Sequence, residues 1–151
     1  MDPCLELEQY LHKHIPLSQS MQVHVKQLNH HLVVLSAPIG PNINHRDTVF
    51  GGSACALGIL SSWSLIHFKL QEEAGIQPRI VIQRNTMEYK KPILSTFEAH
   101  CCLEDEKAWD KFLNGIRKKG IGRIQLTSRL YCRDEEVGEF QGTFVTFDIN
   151  R

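Results

Sequence analysis

One segment constrains the fold of this chain more than any other, because it predicts a helix that is apolar on every side. It runs from Ser53 to about Glu73, and apolar residues lie all around its axis: Ala54, Cys55, Leu57, Ile59, Leu60, Trp63, Leu65, Ile66 and Phe68. A membrane span needs about 20 apolar residues, whereas serines, His67 and Lys69 interrupt this run. We therefore expect a buried helix, covered on most sides by other elements, in a protein without a membrane segment.

The remaining sequence supplies that cover, mainly as strands. Apolar–polar alternation and short apolar runs predict six strands at residues 21–27, 32–37, 80–89, 96–103, 121–132 and 139–149. Two further helices are predicted at Pro3–His14 and Glu104–Lys119, the second with acidic residues early and basic residues late. Strands joined by hairpins and short links form antiparallel sheets, and twisted sheets curve readily. The sequence predicts an α+β fold, a curved antiparallel sheet around the long helix, in one domain over residues 1–151.

Composition excludes several classes of function. The chain has 151 residues, with 17 Lys and Arg against 17 Asp and Glu, so its formal charge is zero and its pI is near 7.1. Bulk charge therefore does not favour binding to nucleic acid or to membranes. The five cysteines are odd in number and lack CxxC spacing, which argues against a zinc ribbon or a disulfide framework. The first residues carry acids and no basic stretch, unlike a signal peptide. We expect a cytoplasmic protein without a bound metal.

The segment most suited to chemistry is the loop that leads into the long helix. Residues 42–48 are mostly polar, and Gly51, Gly52 and Ser53 follow where the helix begins. Glycines let a ligand approach the backbone closely. The first N–H groups of a helix have no partner within it, so they can bind an oxyanion or polarise a carbonyl. The alternative is a purely structural helix start, with Ser53 as the N-cap and the glycines in a tight turn.

These residues carry a resemblance to a known family. Residues 42–48, followed by Phe50-Gly51-Gly52-Ser53, resemble the hot-dog fold thioesterases, above all the thioesterase family named after the YiiD C-terminal domain. Residues 89–93, Tyr-Lys-Lys-Pro-Ile, are similar to the tyrosine-x-x-proline strand end common in hot-dog thioesterases. The resemblance extends over roughly residues 15–149. It implies the hot-dog fold, in which a curved sheet wraps a long central helix and two subunits join their sheets.

The same resemblance implies an activity. The active site would lie at the dimer interface near the start of the central helix. The substrate would be an acyl thioester of coenzyme A or of acyl carrier protein, and no other cofactor is expected. Water would attack the thioester carbonyl, and the backbone N–H of Gly52 or Ser53 would stabilise the oxyanion. The expected partners are thus the acyl thioester or carrier and a second copy of the chain, in a homodimer or a larger homo-oligomer.

The general base is defined less clearly, because several hot-dog thioesterases place an Asp or Glu about two turns into the central helix. Residues 53–71 contain no carboxylate, which leaves Asp47 in the preceding loop and Glu88 in the following strand. We assign the base to Asp47, which lies close in sequence to the predicted oxyanion site and can activate water. The alternative is that Asp47 is a solvated loop acid or a partner of the helix dipole. His45 also titrates near neutral pH, but a histidine in a polar loop is often simply exposed.

Other residues are candidates for orienting water or substrate. Asn44 and Thr48 could bond water or the thioester oxygen, or else bond only within their loop, Asn44 through an Asx turn. Ser61 lies two turns into the helix and either faces the acyl pocket or bonds back to the helix. Asn85 and Tyr89 share a strand face that could line the partner's side of the pocket. The predicted substrate-binding residues are therefore His45, Phe50, Gly51, Ser61, Asn85 and Tyr89.

Two other functions stay open. The missing helix carboxylate is compatible with a non-catalytic module that binds acyl-coenzyme A or an acyl carrier. A hot-dog dehydratase or hydratase would pair a His with an acid on the central helix, and this helix has no such pair. Basic residues that either meet coenzyme A phosphates or form a solvated face are Arg84, Lys90, Lys91, Arg117, Lys118, Lys119 and Arg123.

Overall fold

The computed structural model describes residues 1–150. Its helices and strands are α1 (Pro3–His14), α2 (Pro16–Ser20), β1 (His24–Leu28), β2 (Leu32–Ala37), α3 (Gly51–Leu70), β3 (Pro78–Tyr89), β4 (Phe97–Cys102), α4 (Glu106–Lys119), β5 (Ile121–Cys132) and β6 (Glu135–Asp148). The six predicted strands and three predicted helices are all present, with ends that differ by a few residues. The short helix α2 and a 3-10 turn at Gly40–Asn42 are additional, because such short elements show no hydrophobic period.

All six strands form one antiparallel sheet in the order β1-β2-β4-β5-β6-β3. α3 packs on this sheet and contacts β2, β3, β4, β5 and β6. The longest pairing joins β5 and β6, from Ile121↔Phe147 to Cys132↔Glu135. The structure therefore confirms the predicted α+β hot-dog fold, with an antiparallel sheet around one long helix.

β3 has a strand partner on one side only. It pairs with β6 from Pro78↔Asp148 to Tyr89↔Gly138, and no strand within residues 1–150 pairs with its other side. After β2 the chain forms α3 and then returns to the sheet as β3, next to β6. β3 is therefore an edge strand. At 12 residues β3 is a long edge, and proteins usually keep exposed edges short or covered. The open side of β3 is therefore a surface that a second strand can join.

The middle of α3 lies directly on the sheet because its residues there are small. Gly58 is so close to Phe140 of β6 that a Cβ atom at this position would lie 2.7 Å from the ring. Ser61 and Ser62 follow and are fully buried. Their hydroxyls bond the Ser128 hydroxyl of β5, with oxygen–oxygen distances of 2.7 and 2.9 Å. The hydroxyls of Ser61 and Ser62 are thus satisfied by the sheet.

α1 and α4 cover the remaining sides of α3. The Tyr10 ring of α1 stacks on Trp63 of α3, with 6.1 Å between ring centroids. α4 ends at Gly120, which has the left-handed φ of 76° that glycine favours. A Cβ atom at Gly122 would lie 2.4 Å from the Phe112 carbonyl oxygen, so glycine lets α4 lie against β5. None of the helices in the described part of the chain is long and apolar enough to cross a membrane.

Candidate active site

α3 begins at Gly51, two residues before the predicted start. Phe50 is the N-cap residue, and its side chain makes no capping hydrogen bond. The Phe50 carbonyl oxygen accepts the N–H groups of Ser53 at 3.0 Å and Ala54 at 3.2 Å. Ser53 is therefore not the N-cap. Because its N–H is already bonded, the prediction of Ser53 as an oxyanion donor is also corrected.

The N–H groups of Gly51 and Gly52 have no hydrogen-bond acceptor within residues 1–150. They are the first two amides of a 20-residue helix, at the end where the helix dipole is positive. Gly52 is exposed and Gly51 is partly exposed. A Cβ atom at Gly52 would lie 2.3 Å from the Phe50 ring. Glycine at this position thus allows the Phe50 ring to rest beside the helix start.

The two glycines line a cleft of about 510 Å³ at the end of β3. We use the name cleft for the space lined by Thr48, Val49, Gly51, Gly52, Ala54, Tyr89, Lys90, Lys91, Pro92 and Ile93. The Val49 N–H donates to the Ile93 carbonyl oxygen at 2.9 Å. This bond holds the loop before α3 against the segment after β3, so the cleft is built from two stretches that are distant in sequence.

Tyr89 forms one wall of the cleft and is tied to the helix start. Its hydroxyl donates to the Gly51 carbonyl oxygen at 2.8 Å. Burial, followed by the nearby Cys55 thiol, raises the pKa of Tyr89 above its ordinary value, so the hydroxyl keeps its proton. The Cys55 thiol in turn donates to Asn85 Oδ1, with 3.4 Å between the atoms. Asn85 and Tyr89 both contact α3 and therefore share one strand face, as predicted.

The loop before α3 is held in one shape by Asn44 and Thr48. Asn44 Oδ1 accepts the backbone N–H groups of Arg46 at 2.8 Å and Thr48 at 3.1 Å, which is the Asx turn considered above. Asn44 Nδ2 also donates to Thr48 Oγ1 at 2.8 Å. Asn44 does not line the cleft itself, and its link to the cleft is the hydrogen bond to Thr48. Because Thr48 Oγ1 accepts this bond, its own proton remains to be donated into the cleft.

Asp47 and His45 lie at the exposed tip of this loop, outside the residues that line the cleft. Asp47 has a left-handed φ of 62°, a conformation that Asp adopts more readily than most residues. Its carboxylate forms no hydrogen bond or ion pair with any residue that the structure describes. The predicted base thus stands beside the cleft of its own chain and is unpaired. Phe50 borders the same opening with 57% of its surface exposed.

Ser61 does not line the cleft, so its prediction as a substrate-binding residue is corrected. Its side chain is fully buried, and its hydroxyl donates to the Gly58 carbonyl oxygen at 2.9 Å in addition to the contact with Ser128. The helix back-bond, the alternative considered above, is what the structure shows. Cys101 of β4 lies in the same buried group, where burial raises the pKa of its thiol to about 11.

With this geometry in place, the chain can be compared with known proteins. Residues 4–148 match the model of the family described as "Putative thioesterase (yiiD_Cterm)". The chain belongs to this family. A protein described as a putative thioesterase, from Shewanella oneidensis, is similar in structure with a TM-score of 0.84 and 26% identity, over 97% of this chain and 99% of that one.

Two further structures support the fold. A protein of unknown function from Chlorobaculum tepidum TLS has a TM-score of 0.89 and 27% identity, over 96% of this chain and 94% of that one. Thioesterase HI1161 from Haemophilus influenzae has a TM-score of 0.72 at 9% identity, over 100% of this chain and 94% of that one. At such low identity the likeness to HI1161 concerns the fold alone. The family and the Shewanella oneidensis neighbour support thioesterase activity in general, and all three neighbours support the hot-dog fold.

For this member of the thioesterase family, one wall of the cleft was not predicted. Pro92 and Ile93 line it, and the tyrosine-x-x-proline pattern was the only sequence signal near them. Lys90 and Lys91 form ion pairs with Glu136 and Glu135 of β6. The hydrogen bond to Glu136 raises the pKa of Lys90. Among residues 1–150, no group of three or more His, Cys, Asp or Glu residues is placed to hold a metal ion.

Proposed function

We propose that this protein hydrolyses an acyl thioester of coenzyme A or of acyl carrier protein. The observation that carries the proposal is the pair of unbonded amides, Gly51 and Gly52, which line the cleft at the positive end of α3. A thioester carbonyl oxygen in the cleft would accept bonds from these amides. The bonds strengthen as the oxygen becomes negative in the transition state, which is the condition for catalysis. Water adds to the carbonyl carbon, the tetrahedral intermediate collapses, and the thiol leaves.

Thr48 and Tyr89 would complete the site. The Thr48 hydroxyl proton can bond the thioester or the attacking water, while Asn44 holds the Thr48 oxygen in place. Tyr89 fixes the first turn of α3 through its bond to the Gly51 carbonyl. Both contacts exist before substrate binds, and donors fixed in advance stabilise a transition state most effectively. Phe50, His45 and Asn85, around this opening, are proposed to contact the substrate.

Asp47 is the proposed general base. Its unpaired carboxylate lies in the loop whose last residues, Thr48 and Val49, line the cleft. Because Asp47 stands outside the cleft of its own chain, we propose that it meets the attacking water where two subunits join. It accepts a proton as water attacks and returns it to the leaving thiolate.

The open edge of β3 supports a homodimer. Two copies of β3 can pair antiparallel about a two-fold axis, which joins the two sheets. Partly buried apolar residues of α3, Cys55, Ile59 and Trp63 among them, offer further surface for a partner. Since Tyr89 is the last residue of β3 and a wall of the cleft, this pairing would put the cleft close to the joint.

The proposal is tested first by thiol release from acyl-coenzyme A and acyl-carrier substrates of different chain length. Gly52→Pro removes one amide proton within the first helical turn, where proline is tolerated. Gly52→Ala keeps the proton and adds a side chain at the same place, so it is the matched control. We expect Gly52→Pro to lose roughly 10²–10³-fold in kcat relative to Gly52→Ala, with equal unfolding temperatures. Equal kcat values for the two variants would exclude the Gly52 amide as an oxyanion donor.

A non-catalytic acyl-thioester binding module is the second candidate, because the residues that line the cleft include no carboxylate. Asp47→Asn separates the two functions. If Asp47 is the base, we expect kcat to fall by roughly 10²–10⁴-fold with little change in affinity. Asp134→Asn is the control, since Asp134 is also exposed and has the same φ of 62°. Saturable binding without thiol release, unchanged in both variants, would favour the binding module.

A further inference from the structure

A second concave surface lies between α4 and the first half of β5. It encloses about 890 Å³, and Lys111, Lys118, Lys119 and Arg123 are among its lining residues. An adjoining space of about 650 Å³, lined by Arg79 among others, shares Lys119 with the first. We call the joined space, with the five basic residues Arg79, Lys111, Lys118, Lys119 and Arg123, the basic groove. In a chain with no formal net charge, this is a marked local excess of positive charge.

Carboxylates neutralise many cations elsewhere on the surface: Lys26, Lys90, Lys91, Arg117 and Arg129 all form ion pairs. The basic groove differs. Lys111 and Lys119 have no partner among residues 1–150. The Arg123 Nε donates to Gln83 Oε1 at 3.0 Å, which orients the guanidinium and leaves its charge uncompensated. Lys111, Lys119 and Arg123 therefore offer cations that no acidic side chain among residues 1–150 neutralises.

The two acidic residues of the basic groove are engaged with the backbone. Asp105 Oδ1 accepts the Ala108 N–H at 3.1 Å and caps α4. Asp148 Oδ1 accepts the N–H groups of Gln77 and Asn150. Neither carboxylate forms an ion pair with Lys111, Lys119 or Arg123, so the charge of these three cations faces the concave space.

The floor of the basic groove suits a nucleotide. β4 pairs with β5 only at residues 128–131, so residues 121–127 have no strand partner on the side next to α4. Backbone N–H groups at an unpaired edge can bind anions. Ala108 and Ile121 add apolar surface on which a planar base can lie. Cations lie on both walls, Lys111 and Lys119 on α4 and Arg123 on β5. A phosphorylated nucleotide can enter between them, whereas a folded acidic carrier protein would meet only the rim.

We propose that the basic groove binds the phosphorylated nucleotide of a coenzyme A thioester whose acyl group lies in the cleft of a second subunit. This inference rests on the proposed thioesterase function and on the proposed pairing of β3 strands. It selects coenzyme A over acyl carrier protein as the carrier.

The assignment to a second subunit follows from strand geometry. Arg79 and Tyr89 lie near opposite ends of β3, roughly 30 Å apart at ~3.3 Å per residue. Arg123 lies level with Val81, because both pair with Val145. The groove and the cleft of one chain are thus at opposite ends of the strand. Antiparallel pairing of two β3 strands puts the start of one beside the end of the other, which brings the groove of one subunit towards the cleft of its partner.

The first test measures binding alone. Calorimetry with coenzyme A and with pantetheine, which lacks the nucleotide, is carried out on the wild type, on Lys111→Glu/Arg123→Glu and on Lys107→Glu. Lys107 is an exposed lysine of α4 outside the groove, so Lys107→Glu is the control for a charge reversal on the same helix. We expect coenzyme A to bind the wild type and Lys107→Glu equally, and to bind the double variant at least tenfold more weakly. Equal binding to all three proteins would overturn the proposal, whether or not the protein is a thioesterase.

The second test uses turnover. The double variant should raise KM for acyl-coenzyme A at least tenfold, leave kcat within about twofold, and leave acyl-pantetheine kinetics unchanged. A loss on acyl-pantetheine as well, or a loss on acyl-carrier protein but not on acyl-coenzyme A, would overturn the nucleotide assignment. If no thioester is hydrolysed but the double variant still weakens coenzyme A binding, the thioesterase proposal fails and the nucleotide groove stands.

The third test asks which subunit supplies the groove. Gly52→Pro subunits, with an intact groove, are mixed with Lys111→Glu/Arg123→Glu subunits, with an intact cleft, and allowed to exchange. If one subunit's groove serves its partner's cleft, each mixed dimer contains one complete site, and low-KM activity on acyl-coenzyme A reappears. If cleft and groove act within one chain, no mixed dimer has a complete site and mixing restores nothing, which would overturn the cross-subunit arrangement.

Discussion

The start and the middle of α3 use polar groups in opposite ways. At the start, the N–H groups of Gly51 and Gly52 have no acceptor and open onto the cleft. In the middle, the hydroxyls of Ser61 and Ser62 are bonded to Ser128 and excluded from solvent. Unbonded donors can act on a ligand, whereas bonded and buried ones contribute only to stability. The difference predicts that substitutions at the start change activity and that substitutions in the middle change stability.

Among substitutions that compare these two parts of α3, the largest expected effect comes from Gly51→Pro. Proline is well suited to the first helical position, and Phe50, with ψ of 132°, has the extended backbone that proline requires before it. We expect kcat to fall by roughly 10²–10³-fold, equivalent to about 2.7–4 kcal/mol of activation free energy, with little change in unfolding. Gly51→Ala is the control. If Gly51→Ala is equally impaired, crowding against the Tyr89 ring, 3.3 Å from such a Cβ atom, explains the loss and the amide does not.

The next-largest effect is a pH dependence of the free energy of unfolding, caused by Cys101 in the buried group around the middle of α3. Burial raises the pKa of the Cys101 thiol to about 11, above the ordinary cysteine value of 9.0 that applies once the chain unfolds. Between these values the unfolded chain releases a proton that the folded chain retains. The free energy of unfolding should therefore fall as pH rises from about 9 to 11, by about 2–3 kcal/mol.

Urea unfolding of Cys101→Ala across this pH range should show a shallower decline than the wild type. Cys102→Ala is the matched control, because the neighbouring Cys102 is exposed, and it should keep the full decline. If Cys101→Ala declines as steeply as the wild type, another group is responsible for the pH dependence.

A smaller effect is expected from Ser128→Ala. It removes the partner that the buried hydroxyls of Ser61 and Ser62 share, so the free energy of unfolding should fall by about 1–2 kcal/mol. Chemical denaturation measures the loss, and Ser20→Ala, at an exposed serine, should have almost none. The kcat of the folded Ser128→Ala protein should equal that of the wild type; a large change in kcat would join the buried serines to the active site.

The smallest effect is expected from Tyr89→Phe. This substitution removes the bond to the Gly51 carbonyl and keeps the ring. Because Tyr89 is largely exposed, we expect less than about 1 kcal/mol in stability and only a few-fold loss in kcat, through looser placement of the helix start. Steady-state kinetics and thermal unfolding together test this, and a loss as large as that of Gly51→Pro would give the tyrosine hydroxyl a direct catalytic role.

The fold could be predicted because its main signals are local. An apolar helix needs cover, and alternating strands provide it, so β2 and β5 were predicted with their observed bounds. The start of α3 was harder. Ser53 has the side chain of an N-cap, but the first helical bonds go to the Phe50 carbonyl, and side-chain preference alone does not reveal which carbonyl accepts them.

Most of the site could not be predicted for a different reason, because its geometry depends on contacts between distant residues. Ser61 and Gly52 both looked accessible to substrate. Ser128, on a strand that follows much later, joins Ser61 in a buried contact, whereas no residue among 1–150 accepts the Gly52 N–H. The cleft likewise needs Ile93 to meet Val49, and no pattern within either segment specifies that meeting.

The unpaired edge of β3 affects the solubility of the protein during expression and storage. A freshly folded monomer displays a 12-residue template of backbone donors and acceptors, with Val81 and Tyr89 exposed along it. Such a template accepts any extended segment, including those of unfolded neighbours. The proposed pairing of two β3 strands would therefore also protect against precipitation, and variants that weaken it should be lost as insoluble material at high expression, more often than they persist as soluble single chains.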